Sequence, residues 1–318
     1  MSEDMIFPVR DAVLSNLERL SREQSIISEQ RMLELSDIAL PMVDTSIALF
    51  QDGLECYEML SVLSDEVMSF NYPLSEDTTP DSRTIVRKNL DTLVYNDRAV
   101  LTELYLMTLS DAGYHFTERD FLPCTYGEET FTYVRNRFSD EAYDVFSQDF
   151  TDPKVRYSST FKECSQAVSS GDVTYCLLPL EERGGVRLPS VSEIIFRNDF
   201  KINSVIPVFG PDGNADMKYA LVSKNFTVPE RIKDDDLYLE IRVDTGDDSP
   251  ILEVFAAVKR FGMSIYRVNT VTFYTEGEEE TYFSVVIKDC GNTFASLLTY
   301  FTLFIRDFVP VGIYKNLE

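Results

Sequence analysis

FLPCTYGEETFTYVRNRF, residues 121–138, is the stretch on which the reading of this chain turns. To its left the sequence has a helical pattern; to its right, short apolar runs alternate with helical ones. The stretch itself reads as an apolar run, a short Gly-bearing turn, and a helix that opens near Glu129 and continues as ETFTYVRNRFSDEAYDVF. Free N–H groups at a helix start attract anions. Glu128 and Glu129 stand just before that start, where they favour the helix dipole but compete with an anionic guest. A plain strand–helix joint, capped near Thr130, is the reading this favours.

Leftward, Val13, Leu17 and Leu20 recur at helical spacing, and Met32, Leu35, Ile38 and Met42 continue the pattern. Residues 5–70 therefore read as helix, broken or kinked at Pro41. NYPLSEDTTPDS (71–82) is a polar loop, and Asp81 or Ser82 can cap a second long helix ending at Gly113. Rightward, strand-like KVRYSS, TYCLLPLE, KINSVIPVF and MKYALVS are interleaved with helical TFKECSQAVSSG and SVSEIIFRND, the pattern of a sheet covered by helices. FGPDGNADM (209–217) is a turn between the last two strands. VPERIKDDD (228–236) is a charged linker. Beyond it the order is β-α-β-β-α-β, the split or ferredoxin-like arrangement, with EGEEE (276–280) as a hairpin tip. The expectation is an α+β multidomain chain with an acidic helical domain at 1–118, an α/β domain at 119–227 and a ferredoxin-like domain at 235–318.

Composition narrows the function classes. The 318 residues carry a net charge of −25, a surface that repels nucleic acid and anionic membranes. Residues 1–120 hold 23 acids against 9 bases. The five cysteines lack metal-ligand spacing, and with no signal peptide or membrane-length apolar run they read as reduced thiols of a cytoplasmic protein. The single His115 excludes a His-pair metal site. No metal and no cofactor is expected.

Two regions resemble one family. The C-terminal β-α-β-β-α-β unit resembles an ACT domain, the amino-acid-sensing module of metabolic enzymes, and the stretch before it resembles prephenate dehydratase. The family's first strand–turn–helix reads like LGPxGTFS; TYGEETFT (125–132) stands there, matching at Thr130, Phe131 and Thr132. Its third strand ends in PIENS followed by Gly and Val; PLEERGGV (179–186) matches at Pro179, Glu181, Gly185 and Val186. The order of helical module, dehydratase and ACT domain is similar to the bifunctional chorismate mutase–prephenate dehydratase. The resemblance implies a periplasmic-binding-protein-like α/β fold, conversion of prephenate to phenylpyruvate in phenylalanine biosynthesis, and an ACT domain that dimerises and takes an aromatic amino acid.

The departures from the family bear on activity. Its Thr-Arg-Phe run supplies a hydroxyl and a guanidinium to the substrate; Met217, Lys218 and Tyr219 occupy those places. Met donates no hydrogen bond, and Lys lacks the planar fork that grips a carboxylate. Only 37 residues separate Pro179 from Met217, too few for the second lobe that closes the family's cleft. The middle domain is thus expected to be single-lobed and catalytically impaired, with a regulatory or interaction role. An active enzyme with drifted motifs would use Thr130, Thr132 and Glu181, with Lys218 on a carboxylate. In a non-catalytic amino-acid sensor, Ser249, Pro250, Ile251 and Asn269 hold the places of the ACT domain's ligand-binding turn and strand. A mutase-like cationic pocket in the helical module would need Arg31, Arg83, Arg87 and Lys88.

Overall fold

The computed structural model describes residues 6–56, 58–60, 62–63, 95–122, 124, 127–211, 213–227, 237–246, 249–275, 278–291, 293–305 and 308–315. The chain divides into two compact units, residues 1–54 with 62–115, and residues 55–61 with 116–318. The loop at 71–82 with its capping residues, Arg83, Arg87, Lys88 and the linker at 228–236 lie outside the described residues.

In the first unit, α1 (Ile6–Gln51) and α2 (Tyr95–Asp111) pack together. Leu35, Ile38, Ala39, Met42 and Val43 form a buried stripe on α1, and Leu101, Tyr105 and Leu109 one on α2. Ser46 Oγ and Tyr105 Oη share a hydrogen bond of 2.8 Å inside this contact. Pro41, expected to break or kink the run, lies inside α1 and does not break it. It forfeits one backbone bond, but the apolar stripe runs through it unbroken. The helix stops instead at Gln51, not at residue 70. Gly53 (φ 90°) takes the left-handed conformation that closes a helix, and Leu54 N–H returns to Leu49 O. Gly113 (φ 92°) ends α2 as expected.

The second unit holds a short helix α3 (Glu118–Phe121) and two sheets. Its elements are β1 (Thr130–Val134), α4 (Arg137–Phe146), β2 (Lys154–Ser158), α5 (Phe161–Ser170), β3 (Tyr175–Glu182), β4 (Val186–Arg187), α6 (Pro189–Arg197), β5 (Lys201–Phe209) and β6 (Ala215–Ser223). They continue as β7 (Leu237–Asp244), α7 (Ile251–Arg260), β8 (Ser264–Thr275), β9 (Glu278–Lys288), α8 (Ala295–Phe304) and β10 (Phe308–Lys315). The six-stranded sheet has the order β2-β1-β3-β6-β5, with β4 paired to β3; β1 is parallel to β2 and β3, while β6 runs antiparallel to β3 and β5. The second sheet is antiparallel, in the order β10-β7-β9-β8.

The opening stretch is read wrongly from sequence. Thr130–Val134 is a strand, not the start of a helix. Its residues, TFTYV, are β-branched and aromatic, and they pair with both β2 and β3. The helix begins seven positions later. Asn136 caps it by accepting from Ser139 N–H at 3.0 Å, and Ser139 Oγ accepts in return from Asn136 N–H at 2.8 Å. Glu128 and Glu129 therefore precede a strand, not a helix N-terminus. The expected hairpin joins β8 and β9, but its tip is shorter than EGEEE, because Glu278–Glu280 are already paired with Phe273–Thr275.

β3 is buried on both faces, as central strands are. Tyr175 and Leu177 join Phe131, Ala142 and Phe146 in the core beneath α4. Cys176, Leu178 and Leu180 face Val191 and Ile195 of α6, together with Tyr238, Val286 and Tyr314 of the four-stranded sheet. The two sheets thus share a core. They also touch where β10 crosses β5: Lys201 Nζ donates to Pro310 O at 3.3 Å, and a Cβ at Gly312 would collide with the Ile202 carbonyl. We expect Gly312→Ala to lower the unfolding free energy by about 3 kcal/mol, the upper range for overpacking. Urea denaturation measures it, and an unchanged midpoint would refute this account of the crossing.

Candidate functional site

The carboxyl ends of the parallel strands are where open α/β sheets bind ligands, next to the point where the strand order reverses. That point lies between β1 and β3. The turn after β1 is Arg135–Asn136, followed by the first turn of α4. The strand–turn–helix expected around residues 125–132 thus lies further on, in β1, Arg135–Asn136 and α4. Asn136 followed three positions later by Ser139 is the capping signal that would have placed it. Arg135 pairs with Asp140 at 3.4 Å and lies over the Tyr157 ring; Arg137 pairs with Glu141 at 2.9 Å. Tyr133 Oη donates to Asp140 at 2.9 Å, and burial, then this bond, pushes its phenol well above the ordinary range.

The four residues expected to carry catalysis are dispersed. Thr130 stands at the amino end of β1, where its Oγ accepts from Thr174 N–H at 2.9 Å. Thr132 is buried and shares a 2.8 Å hydrogen bond with Ser158 Oγ. Glu181 and Lys218 face each other across β3 and β6, in register. Thr174, just before β3, and Glu181 near its end are seven positions apart, so Thr130 sits about 23 Å along the strand direction from Glu181 at the usual ~3.3 Å rise. No single small substrate reaches both.

Glu181 belongs to a buried cluster that sequence reasoning missed. Gly184 and Gly185, both at positive φ (85° and 77°), turn the chain so that Arg187 on β4 lies opposite Glu181. Arg187 Nε is 3.4 Å from Glu181 Oε1, and both side chains are less than 10% exposed. The Arg187 guanidinium then forks onto Glu240 of β7, with Nη1 to Oε1 at 3.0 Å and Nη2 to Oε2 at 2.7 Å. Ser284 and Tyr314 hydroxyls each donate to Glu240 at 2.8 Å. Arg267 of β8 completes the group by donating to Glu181 Oε1. Burial pushes the Glu240 carboxyl up, but Arg187 and the hydrogen bonds outweigh it and hold it below its ordinary value. Two arginines and two glutamates cancel in charge. Glu181 is thereby tied to two guanidiniums.

Ser249, Pro250 and Ile251 lie where α7 begins; Ser249 Oγ donates to Asp244 O at 2.5 Å and Pro250 precedes the first helical residue. Asn269 is in the middle of β8, paired with Ser284 on β9, which pairs in turn with Arg242 on β7. Asn269 thus lies two strands from β7, about 10 Å across the sheet at the usual spacing, and one chain does not bring it to Ser249. Asn269 Nδ2 is buried with no hydrogen-bond partner among the described residues. In the helical unit, Arg31 is bound to Asp97 and Glu34, both at 2.7 Å. The described residues contain no cluster of His, Cys, Asp and Glu that could hold a metal, and all five cysteines are free. No helix among them is long and apolar enough to cross a membrane.

No family model matches the chain, and no curated protein matches it. Among solved structures it is similar to prephenate dehydratase from Streptococcus mutans, with a TM-score of 0.47 and 13% identity over 59% of this chain and 99% of that one. It is similar also to GqqA, a quorum-quenching acylase, with a TM-score of 0.43 and 17% identity over 59% of this chain and 96% of that one. A third is prephenate dehydratase in complex with L-Phe from Arthrobacter aurescens, with a TM-score of 0.44 and 13% identity over 58% of this chain and 89% of that one. At such scores and identities no activity carries over to this chain.

The cluster makes a measurable prediction. Removing one partner of a buried ion pair typically costs about 3–5 kcal/mol, whereas replacing both with apolar groups is often neutral. Arg187→Met and Glu240→Leu are each expected to destabilise by about that amount, and the double variant to recover most of the loss. Equilibrium denaturation of the four chains decides; strictly additive losses would sink the assignment.

Proposed function

We propose that this chain is a prephenate dehydratase-like protein related to phenylalanine biosynthesis that has lost turnover and acts by regulation or interaction. The reading takes residues 1–118 as an acidic helical domain, 119–227 as a truncated dehydratase-like domain and 235–318 as a ferredoxin-like ACT-type domain. One observation carries it: Glu181, the acid of the PLEERGGV motif, is tied to Arg187 and Arg267, while Thr130 lies at the far end of the sheet. A dehydratase needs an acid and a carboxylate grip converging on one small molecule. The chain between Glu182 and Ala215 goes into β4, α6 and β5, leaving no length for a facing lobe.

Purified protein is expected to form no phenylpyruvate from prephenate above the uncatalysed rate. Turnover that disappears in Thr130→Ala would refute the proposal and restore the enzyme reading.

The same reading gives the ACT-type domain a second copy of itself as partner. β8 is a 12-residue strand at the edge of its sheet, and it exposes Tyr266, Val268 and Tyr274. A long, apolar edge with unpaired backbone groups is a template for pairing with another strand. Sedimentation velocity is expected to show a dimer, and Val268→Lys with Thr270→Lys to give a monomer. A monomeric parent chain, or a dimer indifferent to both lysines, would rule out the β8 edge.

A further inference from the structure

The second unit contains a cavity of about 450 Å³ at the amino ends of β1 and β3, away from every residue discussed above as a candidate for catalysis except Thr130. Its size falls within the range of small-molecule sites, about 300–1,000 Å³. Phe150 and the core residues Phe146 and Tyr175 are among the residues that line it. Phe150 and Tyr175 meet edge to face, with centroids 5.3 Å apart, and Phe150 packs likewise on the buried Phe131 at 4.8 Å, so the aromatic wall is held by the core of the sheet. Two carboxylates also line the cavity, Glu129 just before β1 and Asp149 just after α4. Glu129 is positioned by the backbone: its Oε2 accepts from Asp152 N–H at 2.6 Å. Lys315, at the end of β10, contributes the cavity's basic side chain.

We propose that this cavity binds a small primary amine carrying a single aromatic ring. The ring stacks among Phe146, Phe150 and Tyr175, where offset and edge-on contacts favour a fourth aromatic. The ammonium faces Glu129 and Asp149, and aromatic faces close to the site attract it as well. Acids outnumber bases in the lining, and the −25 charge of the whole chain raises the local concentration of cations. An aromatic carboxylate without an amine meets the opposite field. The source of the amine, a free arylalkylamine or an amino acid whose carboxylate approaches Lys315, is left to the arms of the test. This site is separate from the proposed loss of turnover, and neither result decides the other.

Isothermal titration calorimetry of the full chain tests it with phenethylamine, L-phenylalanine and 3-phenylpropanoate. Phenethylamine is expected to bind and 3-phenylpropanoate to give no heat of binding. Asp149→Asn, at an exposed position, is expected to weaken phenethylamine at least about tenfold, the loss of one charge-assisted contact. Ser204→Phe, which fills the cavity from β5, is expected to abolish binding. L-Phenylalanine lost in Ser204→Phe, together with phenethylamine, identifies an amino acid as a guest of the same cavity; phenethylamine alone bound and lost identifies a simple amine. Absence of phenethylamine binding, equal binding of 3-phenylpropanoate, or indifference to Asp149→Asn would each overturn the proposal, and the Asp149 result stands even if Ser204→Phe does not fold.

Discussion

A guanidinium with almost no exposure to solvent, that of Arg187, organises the second unit. Taking such a charge out of water costs several kcal/mol unless carboxylates and hydrogen bonds replace the lost solvent. Here Glu240 receives the fork and Glu181 flanks Nε, so β4 of one sheet is bound to β7 of the other. Each carboxylate then needs its own neutralising partners. Arg267 from β8 supplies one for Glu181, and the Ser284 and Tyr314 hydroxyls satisfy Glu240. Four strands of the second sheet and two of the first are thereby drawn to one point. The apolar core around it, from Leu178 and Val191 to Tyr238 and Val286, keeps the low dielectric in which these contacts are strong.

The Glu181 carboxylate is held by Arg187 of β4, in its own sheet, and by Arg267 of β8, in the four-stranded sheet. The motif's glycines serve the same end: Gly185 lies against Arg267, where a Cβ would come within 3.1 Å of Nη2. A side chain there would push the arginine away from Glu181.

Much of the fold was legible from local pattern. α5 announces itself with Thr160, which accepts from Glu163 N–H, and ends at Gly171 in the left-handed region. β3 reads as an unbroken apolar run because both of its faces are covered. The β-α-β-β-α-β order after residue 236 follows from alternation and turns alone. β1 was missed because Glu128 and Glu129 look like first-turn acids of a helix, while the deciding evidence, pairing of Phe131 with both Val155 and Tyr175, lies in other strands. The cluster was missed for the same kind of reason. Glu240 sits in LYLEIRV, where a charged residue at an inward position has no meaning until Arg187, 53 residues earlier, is placed against it.

The two ends of the six-stranded sheet differ in their charge. At the carboxyl end several described arginines have carboxylate partners: the exposed Arg135 with Asp140 and Arg137 with Glu141, and the buried Arg187 with Glu240. Each pairing lowers the field that a doubly negative substrate would feel, and the overall −25 charge adds repulsion at longer range. At the amino end the opposite holds. Rings that belong to the core line an open volume, and its carboxylates, Glu129 and Asp149, are an attraction for a cation instead of a barrier. Electrostatics alone therefore separates the two ends. The paired arginines at one end and the acid-lined cavity at the other thus present different fields to a small molecule.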